Sequence, residues 1–160
     1  MKDAIVNELD KYIAVSKYDS TDDTLEYKTS IVRLREIQDR YGDVNNAKNV
    51  ADNVNFHKLK PDGVEIPEGF RRTGFFYYPK GGYMGWHTNS KVIGKRKYVV
   101  YATEEKKSFF RYYDTDKEDI VTLWDKKGWN TVEFEIKKDE PFWHCVGSMC
   151  DRVSLGLTEL

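Results

Sequence analysis

The chain has 160 residues, which suits one domain and allows a sizeable core. Charged residues make up 33% and the net charge is -1, with Lys and Arg spread along the chain, so no strong field for a phosphate backbone exists and duplex nucleic acid is disfavoured as a partner. No apolar run approaches the roughly 20 residues of a membrane span, and Met1–Glu8 lacks the apolar core of a signal peptide, so no membrane role and a cytoplasmic location are expected. Aromatic residues reach 14%, with 11 Tyr and 8 Phe, which favours strands.

In chain order, Ile5, Leu9 and Ile13 repeat every four residues beside Tyr12, and Asp3 can cap the start of that helix. A second helix is predicted from Ser30 to Tyr41, where Ile31, Leu34, Ile37 and Tyr41 share one face and Gly42 is a stop signal. Asn45–Asn55 is polar and ambiguous. Pro61-Asp62-Gly63 and Pro67-Glu68-Gly69 are turn signals.

The texture changes at Phe70. Strand-like runs occur at Phe75–Tyr78, Tyr98–Tyr101, Phe109–Tyr113, Ile120–Trp124, Thr131–Ile136, Phe142–Val146 and Val153–Leu157. Thr131–Ile136 alternates with period two, as a half-buried strand should. Short strands with frequent turns and no helices between them predict an antiparallel barrel or two-sheet jelly roll. A single domain over 1–160 is expected, with 1–60 as helical support and 70–160 as the β core. Cys145 and Cys150 are too few for a disulfide scaffold and should stay reduced. Their spacing does not fit Cys-x-x-Cys zinc ligation. Asp114 and Asp116 read as turn residues, and Trp124 and Trp129 as apolar anchors flanking a turn. His57 lies in a polar segment and is expected to face solvent.

Two histidines stand in the β region, His87 in Gly-Trp-His-Thr-Asn and His144 in Pro-Phe-Trp-His, followed by Arg152 in Arg-Val-Ser. A histidine in an apolar strand is ordinarily a hydrogen-bonded core residue. The pair in this order, with Arg152 after it, favours ligation. Several strands fit between the histidines, so they can lie on neighbouring strands. Each follows a tryptophan, and adjacent strand residues face opposite ways. The tryptophans should therefore face away from the histidines unless the strand bends.

This ordered set resembles the active site of the 2-oxoglutarate- and Fe(II)-dependent oxygenases. It looks most like their small prolyl-hydroxylase-like and aspartyl/asparaginyl-hydroxylase-like branches, compact versions of which occur in phage genomes. The resemblance covers residues 70–160 and implies a double-stranded β-helix, a cupin-like jelly-roll barrel, behind N-terminal helices. It implies His87 and His144 as Fe(II) ligands and Arg152 with Ser154 as the anchor for 2-oxoglutarate. Arg152 comes only eight residues after His144, a short gap that implies a tight hairpin through Gly147-Ser148-Met149. Arg96 and Tyr98 are further candidates for co-substrate contact. The implied reaction takes 2-oxoglutarate and dioxygen, releases succinate, and hydroxylates a protein side chain or a small molecule.

The family's usual carboxylate, two residues after the first histidine, is Asn89 here. An amide is a weaker ligand for a divalent cation. Three readings are open: iron held by two histidines and water, ligation by the Asn89 carbonyl oxygen, or a barrel that has lost the chemistry. The alternative function is a cupin-like module binding another metal or a small acid. An exposed edge of a short barrel permits a homodimer.

Overall fold

The computed structural model describes residues 24–42, 53–54, 57–60, 63–89 and 92–160. The helix expected at 5–13 falls outside the described residues. Among the described residues the elements begin with a short helix α1 (Thr24–Lys28), followed by α2 (Ile31–Tyr41). The α2 boundaries have local causes. Ser30 is its N-cap, and the Ser30 Oγ accepts from the Arg33 backbone N–H at 3.1 Å. Gly42 ends it at φ 69°, with its N–H donating to the Gln38 carbonyl at 2.7 Å, a conformation that glycine takes without a Cβ clash. Leu34 and Ile37 form the buried face.

Ten strands come after the helices: β1 (Asn53–Val54), β2 (His57–Lys58), β3 (Phe70–Tyr78), β4 (Tyr83–His87), β5 (Gly94–Ala102), β6 (Ser108–Asp114), β7 (Asp119–Trp124), β8 (Gly128–Ile136), β9 (His144–Ser148) and β10 (Arg152–Glu159). They build two five-stranded antiparallel sheets, in the orders β1-β4-β9-β6-β7 and β2-β3-β10-β5-β8. From β3 onward successive strands alternate between the sheets, apart from the β6–β7 hairpin. This alternation is the double-stranded β-helix, and it chooses the two-sheet jelly roll from the two β architectures the sequence allowed.

Two expectations need correction. The segment before residue 60 is not helical throughout, because β1 pairs with β4 and β2 with β3, each extending a sheet edge. Nor is there a tight hairpin through Gly147-Ser148-Met149. Gly147 and Ser148 belong to β9, and β10 lies in the opposite sheet. Hydrogen bonds carry β9 past the expected turn: Gly81 N–H donates to the Ser148 carbonyl at 2.7 Å and Ser148 N–H to the Gly82 carbonyl at 2.9 Å. The chain then crosses between sheets through Met149–Asp151.

Period-two alternation sorts each strand into an outward and an inward face. Outside the second sheet, Phe75, Tyr77, Val99, Val153, Leu155 and Leu157 pack with Leu59. Outside the first sheet, Trp86, Trp143 and Cys145 pack on Leu34 and Ile37 of α2. Between the sheets lie Tyr78, Phe110, Val132 and Val146, with Phe76, Met84, Tyr98, Tyr112, Phe134 and Phe142 beside them. Cys145 and Cys150 are both free and buried. Among the described residues no helix is long and apolar enough to cross a membrane.

Trp86 joins helix to sheet. Its ring is fully buried against α2 and its Nε1–H donates to the Ser30 carbonyl at 2.8 Å. Trp86→Ala is expected to lower the unfolding free energy by about 3–5 kcal/mol, read as a reduced midpoint in urea denaturation.

Candidate functional site

The site begins with an irregularity in β4. Met84 is paired with Val146 and His87 with His144, so three steps along β4 match two along β9. The extra residue is a β-bulge, which breaks strict alternation and re-aims the side chains beyond it. Met84 and His87 therefore both face between the sheets, while Trp86 faces α2. The tryptophans do turn away from the histidines, and on β4 the bulge makes that compatible with an inward His87. His87 and His144 become direct cross-strand partners, with ring centroids 4.2 Å apart.

Their tautomers are set by their partners. His87 Nδ1 lies 2.7 Å from the Gly85 carbonyl oxygen and His144 Nδ1 lies 2.9 Å from that of Phe142. A carbonyl only accepts, so each Nδ1 carries the proton and each Nε2 presents a lone pair. This is how a backbone carbonyl orients a metal-binding imidazole. Asn89 reaches His144, its Nδ2 lying 3.2 Å from His144 Nε2. Its amide thus donates to the lone pair, and the carbonyl end is left for another partner.

Both imidazoles are held neutral. Burial pushes the His87 pKa below its ordinary value, with the Gly85 hydrogen bond opposing. Burial pushes His144 well below, and His87 and the Arg96 charge add to that. Aromatic rings wall His144: Phe110, Phe134 and Phe142 have centroids 5.6, 5.3 and 5.3 Å from it.

The opposite sheet supplies the charges. On β10 and β5 the inward positions form rows, Thr158 with Arg96, Gly156 with Tyr98, Ser154 with Val100, and Arg152 with Ala102. Gly156 makes room for Tyr98, since a Cβ there would meet the Tyr98 ring at 3.2 Å. Tyr98 is central. Burial raises its pKa, while Arg96, Arg152 and the Asn89 amide pull it back. Arg152 is fully buried, with its guanidinium 5.7 Å from the Tyr78 ring centroid. Its Nε donates to Asp125 Oδ2 at 2.7 Å, and the Ser108 hydroxyl donates to the same oxygen at 2.6 Å. Its Nη1 and Nη2 are buried without a hydrogen-bond partner among the described residues.

All seven residues singled out from the sequence, His87, Asn89, Arg96, Tyr98, His144, Arg152 and Ser154, lie in or at the end of the strands that enclose the inter-sheet space. Ser154 is buried on the same face as Arg152, two residues along. Arg152 is buried, and its carboxylate partner is Asp125, which no linear signal announces. The aromatic wall also escapes sequence reasoning, because Phe110, Phe134 and Phe142 are ordinary strand residues until the sheets close. The His57 side chain lies outside the described residues; its backbone pairs with Tyr77. Asp116 lies in the β6–β7 turn as expected, whereas Asp114 is the last residue of β6 and accepts from the Asp116 and Lys117 N–H groups at 3.0 and 3.2 Å.

As a metal centre the donor set is incomplete in one respect. Two imidazoles lie side by side, each with an unprotonated Nε2, yet among the described residues no group of three His, Cys, Asp or Glu is placed to hold a metal. Asn89 is the further side chain at His144 Nε2, with its amide N–H and not its oxygen turned toward that nitrogen.

No family model and no curated protein matches this sequence. Solved structures give weak matches. An RmlC-like cupin protein from Desulfovibrio desulfuricans is 15% identical at a TM-score of 0.39, covering 66% of this chain and 81% of that one. A cupin superfamily protein from Desulfitobacterium hafniense is 9% identical at 0.38, covering 68% and 78%. A family 29 carbohydrate-binding module complexed with cellulohexaose is 12% identical at 0.33, covering 68% and 90%. Likeness of this degree says nothing about the site, and the fold assignment stands on the strand order of the two sheets.

The neutral histidines set a pH dependence for the metal-free protein. With folded pKa values below the unfolded value near 6.5, the unfolded chain takes up these protons first as pH falls. Their contribution to stability is complete above about pH 6.5 and is lost as pH drops toward the folded values, at up to about 1.4 kcal/mol per pH unit for each group. In urea melts with chelator between pH 7.5 and 5.5, His144→Gln is expected to lose stability less steeply than the parent chain.

Proposed function

We propose that this chain is an oxygenase using Fe(II) and 2-oxoglutarate to hydroxylate a protein side chain or small molecule in the space between its sheets. The observation that carries the reading is the Arg152 guanidinium, whose Nη1 and Nη2 are buried without partners among the described residues, in the same inter-sheet space as two inward imidazoles. An unpaired buried donor pair of this kind costs stability unless a ligand completes it. Its planar fork matches both oxygens of a carboxylate.

His87 and His144 would hold the metal through Nε2, with Asn89 turning its amide oxygen inward or leaving the place to water. When bound, Fe(II) with the 2-oxo acid supplies dioxygen activation, converting 2-oxoglutarate and dioxygen to succinate and carbon dioxide as one oxygen atom enters the substrate. The protein's own part is positional. Asp125 and Ser108 fix the guanidinium by its Nε side and leave the outer fork pointing free. Ser154 offers a hydroxyl on the same face. Tyr98 stands between Arg152 and Asn89, and Phe110, Phe134 and Phe142 keep water from His144.

An anaerobic titration with Fe(II) and then 2-oxoglutarate, followed by visible absorption, tests this. A charge-transfer band is expected in the parent chain and none in His87→Ala. Arg152→Gln should weaken 2-oxoglutarate by about 2–4 kcal/mol, roughly 30- to 1000-fold. No band and no iron retention in the parent chain would remove the oxygenase reading in favour of a cupin-like binding module for another metal or a small acid.

The same titration bears on the missing carboxylate. Asn89→Asp places an anion where an amide now donates to His144, and Fe(II) affinity is expected to rise by about tenfold or more. Calorimetric titration of both proteins with Mn(II) as a stand-in gives the comparison without oxidation.

A further inference from the structure

Arg96 is a second buried cation in the inter-sheet space, and nothing in the described residues neutralises it. It is 5% exposed. Its Nη2 donates to the Val92 carbonyl at 2.7 Å, while its Nε is buried without a partner among the described residues. Among the described residues no carboxylate pairs with it. Arg152 differs, because Asp125 already offsets its charge. Arginine does not relieve burial by losing its proton. A desolvated guanidinium without a counter-ion is therefore costly and stands ready for an anion.

The surroundings of Arg96 narrow what that anion carries. On one side its cross-strand partner is Thr158, whose hydroxyl is also buried without a partner among the described residues. Arg71 stands opposite Thr158 on β3 and adds positive charge. On the other side its partner is Phe134. Phe134 stacks on Phe142 at 4.9 Å between centroids, and Phe142 stacks on Tyr112 at 5.6 Å. These three rings are only partly buried. The cationic group and the aromatic wall thus adjoin one another beside His144, and Arg152 lies at the far end of the inward rows.

We propose that Arg96 and Thr158 receive an oxyanion, carboxylate or phosphate, borne by the substrate, whose flat apolar body lies against Phe134 and Phe142. Arg96 then belongs to the substrate and not to 2-oxoglutarate. This assignment rests on the reading of Arg152 as the co-substrate anchor. It makes the substrate a small amphipathic anion.

Calorimetric titration of the full chain with phenylacetate, phenyl phosphate and the neutral phenylacetamide tests the assignment and separates the two oxyanions. The parent chain should bind at least one anionic probe at least tenfold more tightly than the amide. Arg96→Gln should lose that preference, Arg96→Lys should keep part of it, and 2-oxoglutarate affinity should change less than twofold in both. Arg96→Lys guards against simple misfolding, since a folded lysine variant with partial preference is not expected from a structural role alone. Equal probe binding in parent and Arg96→Gln overturns the inference, as does failure of every anionic probe to bind the parent chain. Loss of 2-oxoglutarate binding in Arg96→Gln to the extent seen in Arg152→Gln also overturns it, because Arg96 would then serve the co-substrate. Arg96-dependent probe binding in a chain that ignores 2-oxoglutarate supports the anion site while removing the oxygenase reading.

Discussion

One extra residue in β4 governs both the packing and the candidate site. Along a regular strand, Met84 and His87 would face opposite sides. The bulge opposite Cys145 puts both on the inner face. It also lets Trp86 turn outward, where its ring meets Leu34 and Ile37 and its indole N–H finds the Ser30 carbonyl at the N-cap of α2. The helix, the outer core and the inward imidazole are thus consequences of a single change in register. Neither the pair of lone pairs nor the docking of α2 would survive a strand of even pleat.

The space between the sheets is unusual for a small β protein in what it buries. Alongside Phe110, Val132 and Val146 it holds two imidazoles and a guanidinium–carboxylate pair. Buried ion pairs rarely add stability over apolar side chains of the same volume, because desolvation offsets the attraction. Arg152 and Asp125 are therefore poorly explained as fold determinants. A role in recognition accounts better for their being there, and the same holds for Arg96, which has no counter-ion among the described residues. The aromatic rings around His144 lower the local polarity and keep both imidazoles in the uncharged form that donates a lone pair.

Much of this architecture is legible in the residues. The 3.6-residue spacing of Ile31, Leu34 and Ile37 with Gly42 behind them marks α2, and the alternation of Thr131–Ile136 marks the middle of β8. The jelly-roll class comes from the density of short strands. What stays hidden is anything set by register across sheets. Tyr-Met-Gly-Trp-His carries no alternation because it contains the bulge, so β4 is missing from the strand-like runs of the sequence. Gly147-Ser148-Met149 has the composition of a turn, yet Gly147 is in β9 because the Phe109 ring lies where a larger residue would put its Cβ, 2.5 Å away. Asp125 sits in a polar stretch like many others, and only closure of the two sheets brings it to Arg152. The histidines and the arginine are visible by type and order; their partners are not.

The crossing at Met149–Asp151 has a mechanical meaning. His144 and Arg152 are near neighbours along the chain but belong to opposite walls of the sandwich. A molecule gripped at both ends by these two residues would act as a tie-rod, fastening one sheet to the other through the interior. The three-residue crossing fastens them at the margin. Between them, ligand and crossing would close a ring through both walls, and the spacing of the sheets would set how long a molecule the protein can hold.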